Sequence, residues 1–131
     1  MVSMDEIREV AERIGREFRP HKVILFGSYA LGTPTADSDV DFLVIMPCRG
    51  NPVYKSVEIA LKAHPRFPMD LLVRTPREVR KRLAWNDGFI RHVMEKGKVL
   101  YAADDRRMGG EGGRRLRRPR TRVPRQNRTG A

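Results

Sequence analysis

Cysteine is nearly absent from this chain: Cys48 is the single one in 131 residues. One thiol excludes an internal disulfide framework, and no Cys or His stands at zinc-ligand spacing from it. Long hydrophobic runs are missing as well. No apolar stretch approaches the roughly 18 residues that a membrane-spanning helix requires. The opening Met1-Val2-Ser3-Met4-Asp5-Glu6 is polar and acidic, so no signal peptide is expected, and a cytoplasmic location follows from that reading. His21, His64 and His92 are scattered without metal spacing and read as surface or capping residues. There is no internal repeat. The length suits one domain, and 40% hydrophobic residues suffice for a modest core.

Positive charge is abundant but unevenly placed. Residues 104–131 hold ten Arg, no Lys and three acidic residues, a net +7 of the chain's +11. With five Gly and few large apolar side chains, this segment cannot bury enough surface to fold alone, and a disordered Arg-rich tail is expected. It is either a solvated tail or a weak electrostatic contact for nucleic acid or an acidic partner. The organisation expected is therefore a folded domain over 1–103 and a tail over 104–131.

Within the folded part, apolar periodicity predicts a helix over Ser3–Phe18, with Ile7, Val10, Ala11, Ile14 and Phe18 on one face. Ser3 and Glu6 have capping-box spacing at its start. A strand over Val23–Phe26, a short helical turn and a loop over Thr33–Ser38 precede a strand over Asp39–Met46. A helix over Val53–Ala63 is predicted to turn Val53, Val57, Ala60 and Leu61 inward. A third strand follows over Met69–Arg74. Thr75-Pro76-Arg77-Glu78 combines an N-cap, Pro at N1 and a capping box. That helix breaks near Asn86-Asp87-Gly88 and resumes through Lys96, with Gly97 as a C′ residue.

The chemistry is concentrated in Val23–Ile45, VILFGSYALGTPTADSDVDFLVI. An apolar run ends at Gly27-Ser28, and after ten intervening residues Asp39-Val40-Asp41 opens the next. Residues i and i+2 of a strand share a face, so Asp39 and Asp41 are expected to point together. Asp70 begins the third run, Met69-Asp70-Leu71-Leu72-Val73. Three carboxylates on adjoining strands make a hard oxygen site suited to Mg²⁺, and their mutual repulsion is relieved by bound cations. Two such ions about 3.5–4 Å apart serve displacement at phosphorus. Gly27 lets backbone approach a triphosphate closely, and the free N–H groups of a helical turn at 28–31 would face the same anion. The Ser28 hydroxyl adds a donor. Each piece alone is commonplace: Gly-Ser is usually a turn, and Asp-x-Asp is usually solvated. Their conjunction before buried strands is not, because unpaired carboxylates there are costly unless bonded or metal-bound. Tyr29, beside the turn, either packs on the first helix or meets a nucleotide. Lys55 and Arg74 stand as candidate cations for phosphate or acceptor.

Gly-Ser, ten residues, Asp-x-Asp and a later third carboxylate form a signature that Gly27-Ser28, Asp39-Val40-Asp41 and Asp70 fill at every position. With it the chain resembles the DNA polymerase beta-like nucleotidyltransferase superfamily, most closely the minimal nucleotidyltransferase (MNT) branch. The resemblance runs from about Ile7 to Tyr101. It implies an α/β (α+β) fold, a small mixed β-sheet palm with helices packed on it. It also implies transfer of AMP from ATP to a hydroxyl, with release of pyrophosphate. In that scheme Gly27 and Ser28 hold the β- and γ-phosphates, Asp39 and Asp41 share two Mg²⁺ ions, and Asp70 completes the ion beside the acceptor. Relatives often carry Arg where this chain has Leu31, so a phosphate contact made by that Arg is absent here or supplied elsewhere.

A palm of about 100 residues leaves little for an acceptor-binding domain. The resemblance accordingly points to the antitoxin of HEPN–MNT toxin–antitoxin pairs, whose acceptor is a tyrosine of the HEPN toxin. Three alternatives stand beside it. One is an antitoxin acting by binding alone, which has no need of three clustered acids. Another is a nucleotidyltransferase for a small molecule or RNA, which for small molecules normally needs a further domain. The last is an Asp-x-Asp glycosyltransferase, whose folds are generally much longer.

Overall fold

The computed structural model of the chain describes residues 1–103; the tail expected over 104–131 lies outside the described residues. The elements are helix α1 (Met4–Phe18), strand β1 (Lys22–Phe26), helix α2 (Ser28–Leu31), strand β2 (Val40–Ile45), helix α3 (Pro52–Ala63), strand β3 (Met69–Arg74), helices α4 (Pro76–Ala84) and α5 (Gly88–Lys96), and strand β4 (Lys98–Ala102). They form one four-stranded sheet in the order β3-β2-β1-β4. β1 runs antiparallel to β2 and β4, and β2 runs parallel to β3, with α3 as the crossover that a parallel pair requires. The architecture is the small mixed α/β sheet with packed helices that the sequence suggested.

Local chemistry explains where elements start. Ser3 Oγ accepts from the Glu6 N–H while the Glu6 carboxylate accepts from the Ser3 N–H, so two orphan donors of α1 are satisfied reciprocally. Thr75 Oγ1 accepts from the Glu78 N–H at the start of α4. The reciprocal half of that box is not formed; the Glu78 carboxylate is drawn instead to Arg82 and Arg74. Asp87 caps α5 through the Ile90 N–H.

Strand alternation separates two cores. Val23 and Leu25, Val40, Phe42 and Val44, and Val73 face α1, α2 and α3, with Ile7, Val10, Ala11, Ile14, Tyr29, Ile59 and Ala63. Ile24, Leu43 and Ile45 face α4 and α5, with Val79, Ile90 and Val93. β2 is thus covered on both faces, which explains its unbroken apolar run Phe42-Leu43-Val44-Ile45.

Two further expectations need correction. α3 buries Ile59 and Ala63, whereas Val53, Val57 and Leu61 are exposed, 61%, 51% and 71% respectively, and Ala60 is half-buried. The helix carries two apolar stripes, and packing on the sheet selects the one at 59 and 63. Gly97 is not a left-handed C′ residue, since its φ is −72°. A Cβ there would stand 2.5 Å from the Val93 carbonyl and 2.6 Å from Ile24 Cγ2. Glycine is required at 97 for close approach of α5 to β1, not for conformational freedom.

Candidate active site

At the end of β1 the chain turns on Gly27, whose φ of +80° and ψ of −158° lie in a region open in practice only to glycine. The N–H groups of Ala30 and Leu31 donate back to the Gly27 carbonyl at 3.0 and 3.1 Å, closing the single turn α2 over Ser28–Leu31. The loop after it is held by local bonds. Thr33 N–H donates to the Ser28 carbonyl, and the Thr35 N–H to Ser38 Oγ at 2.8 Å. This loop delivers Asp39 immediately before β2, one residue outside the strand in which the sequence reading placed it.

The register then brings two acids side by side. Asp41 is the direct partner of Asp70 on β3 and of Phe26 on β1, with adjacent strands about 4.8 Å apart. The Val40 N–H donates to the Pro68 carbonyl at 3.0 Å, locking the two strand starts together. By alternation Asp41 shares the face of Leu43, and Asp70 that of Leu72, so both look toward the α4–α5 side. The apolar cover ends short of them: Asp41 is half-buried, while Asp39 and Asp70 are exposed. Gly27 closes the group from the β1 side, since a Cβ there would overlap the Asp41 carboxylate.

The electrostatics follow from this geometry. Burial, then the charge of Asp70, then that of Asp39, push the Asp41 carboxyl above its ordinary value. Among the described residues, no cation pairs with any of the three carboxylates. Nor do three His, Cys, Asp or Glu groups already converge tightly enough to enclose an ion. Repulsion between unneutralised carboxylates opposes such convergence. As a donor set, three carboxylates with no protein counter-charge fit a hard divalent cation, Mg²⁺ above all.

Other candidates fall elsewhere. Tyr29 is buried in the core beneath α1, its hydroxyl accepting from the Val2 N–H at 3.2 Å, so packing on the first helix is its role. Lys55 lies on α3 and pairs with Glu58 at 2.9 Å, and α3 covers the face opposite the acids. Arg74 ends β3, four residues or about 13 Å along the strand from Asp70, and leans on Glu78. Neither cation belongs to the carboxylate end of the sheet. Two residues not singled out as site residues do. His92 and Lys96, four apart on α5, line a crevice with Phe26, Gly27, Ala30 and Leu31. In the sequence they look like a solvated helix face, with no local signal of where α5 packs.

Known proteins share the sequence family and the fold. Residues 7–103 match the family described as a nucleotidyltransferase domain. A protein of Methanocaldococcus jannaschii named "putative protein adenylyltransferase" is 30% identical over 99 residues, which is 72% of this chain and 94% of that one. The crystal structure titled as a "putative nucleotidyltransferase" from Sulfolobus solfataricus superposes with a TM-score of 0.55 at 18% identity. It covers 77% of this chain and 81% of its own, and shows a shared fold. Among the described residues no helix is long and apolar enough to cross a membrane. The chain belongs to the nucleotidyltransferase domain family, which sets transfer of a nucleotidyl group as its chemistry.

Proposed function

We propose that this nucleotidyltransferase is a Mg²⁺-dependent protein adenylyltransferase that moves AMP from ATP to a tyrosine hydroxyl of a HEPN-family toxin, acting as its antitoxin. The observation that carries the catalytic part is the pairing of Asp41 with Asp70 across parallel strands, Asp39 close by, none with a cationic partner. A protein acceptor is supported by the name of the Methanocaldococcus jannaschii relative. The HEPN partner rests on the motif resemblance.

Asp39, Asp41 and Asp70 would hold two Mg²⁺ ions, which when bound neutralise the triphosphate and favour ionisation of the acceptor hydroxyl. Gly27, bare of a side chain, lets both the Asp41 carboxylate and the substrate phosphates come close to the same backbone turn. Ser28 Oγ is free to donate to a β- or γ-phosphate oxygen. The acceptor oxygen bonds to the α-phosphorus, and the bond from that phosphorus to the bridging oxygen breaks, releasing pyrophosphate. Asp70, the exposed carboxylate at the strand start, stands ready to take the acceptor's proton. Positioning and charge neutralisation account for most of the acceleration in such a reaction.

Mass spectrometry of the chain mixed with Mg-ATP and a HEPN-family partner tests this reading. The partner should gain one or more AMP units on tyrosine, and the Asp39→Asn/Asp41→Asn double variant should transfer none. A tight complex with no mass shift would replace catalysis by binding alone. Labelling of a small molecule or RNA, with the partner untouched, would remove the antitoxin assignment while leaving nucleotidyl transfer in place.

A further inference from the structure

We propose that Lys96, carried by the last turn of α5, is the side chain that neutralises the β- and γ-phosphates of the nucleotide at the Gly27–Ser28 turn. The inference rests on the nucleotidyl-transfer reading of that turn and adds a residue to it. Lys96 lines one crevice with Gly27, Ala30 and Leu31. Gly27 is touched from its other side by the Asp41 carboxylate. A polyphosphate seated on this turn therefore has the carboxylate cluster on one flank and the end of α5 that carries Lys96 on the other.

Placement of Lys96 is not left to a flexible surface. The next residue, Gly97, is wedged against β1, its α-carbon so close that an added Cβ would stand 2.6 Å from Ile24 Cγ2 and 3.0 Å from the Leu25 carbonyl. Its N–H donates to the Val93 carbonyl at 2.8 Å. The backbone at 96 is thus fixed to the strand that delivers Gly27, and the lysine stem can lie along Leu31, leaving its charged head in solvent at the crevice mouth.

Charge decides the role. Three carboxylates and an ionised triphosphate together carry more negative charge than two divalent ions neutralise, so a protein cation beside the phosphates is needed. Several cations of the α4–α5 segment are engaged, Arg82 with Glu78 and Asp87, Arg91 with Glu95, and Lys81 over the Trp85 ring, and Arg77 and Arg80 on α4 do not line the crevice at Gly27. Lys96 has no ion pair or hydrogen bond through its side chain to any described residue. Its ammonium is available to a ligand at no cost in lost internal contacts.

Calorimetry of Mg-ATP binding tests the assignment, with Lys81→Gln as a control for the same change in net charge. Lys96→Gln should weaken binding by about tenfold, the worth of a charge-assisted hydrogen bond, and should flatten the dependence of affinity on salt. Lys96→Arg should retain affinity. Lys81→Gln should bind as wild type, and the melting temperatures of all three should match it. Equal weakening by Lys96→Gln and Lys81→Gln, or no weakening by Lys96→Gln, overturns the role of Lys96 while leaving nucleotidyl transfer untouched. Failure of the wild type to bind Mg-ATP overturns both.

Discussion

Replacing Gly27 by alanine is the sharpest perturbation available, because two independent penalties meet at that residue. Its φ of +80° with ψ of −158° costs a side-chain-bearing residue about 1–3 kcal/mol. The new Cβ also overlaps the Asp41 carboxylate, the end of a half-buried side chain that must turn aside, which disturbs the site's geometry more than the fold's stability. The backbone loss of about 1–3 kcal/mol, at about 4–8 °C per kcal/mol for a domain of this size, lowers Tm by roughly 4–24 °C. Gly32 is the internal control. It has the same φ of +80°, but with ψ of 20° and no atom within 4 Å of an added Cβ. Gly32→Ala should therefore lose only the left-handed penalty, about 1–2 kcal/mol. Activity should separate the pair further. Relief of the overlap at Gly27 pushes Asp41 away from Asp70, and a carboxylate displaced by about 1 Å costs on the order of 100-fold in turnover. Urea denaturation and single-turnover nucleotidyl transfer measure the two effects. Should Gly27→Ala match Gly32→Ala in both stability and turnover, the contact between Gly27 and Asp41 is not what organises the site.

Asp41→Asn should abolish transfer yet stabilise the metal-free protein near neutral pH. The folded carboxyl holds its proton to higher pH than the ordinary 3.8 of the unfolded chain. Stability therefore falls as pH rises from 3.8 through the folded value and stays low above it. Thermal melts in chelator should show the advantage of the variant disappearing on acidification, and a variant less stable than wild type at pH 7 would contradict the sign. Adding Mg²⁺ should raise the Tm of wild type and leave an Asp41→Asn/Asp70→Asn variant unmoved, as read by scanning fluorimetry. Gly97→Ala should destabilise by about 1–3 kcal/mol through overlap with Val93 and Ile24, whereas Gly88→Ala, with open space around it, should be neutral or slightly stabilising in the same urea titration. On α3, Ile59→Ala should cost about 2–5 kcal/mol and Leu61→Ser less than about 0.5 kcal/mol; the reverse order would restore the inward face expected from periodicity.

The boundaries of the elements were largely legible before folding because they are fixed by short-range chemistry. The Ser3–Glu6 capping box, Thr75-Pro76 at the head of α4 and the glycine turn at 27 act within a few residues, so the sequence carries them whole. The same holds for the acids: the two-residue period of a strand puts Asp41 among the apolar residues of β2, and Asp70 opens an apolar run of its own. What local pattern does not carry is which surface meets which. α3 has apolar stripes at 53, 57 and 61 and at 59 and 63, and only the sheet decides that Ile59 and Ala63 go inside. Lys55 and Arg74 look as eligible for phosphate as any cation until the crossover puts one on the opposite face and strand direction puts the other about 13 Å away. The direct pairing of Asp41 with Asp70 is a matter of register between strands separated by a whole helix. The approach of Lys96 to Gly27 depends on a glycine wedged against β1. These are long-range contacts, set by packing across segments distant in the chain, and no periodicity within one segment encodes its partner in another.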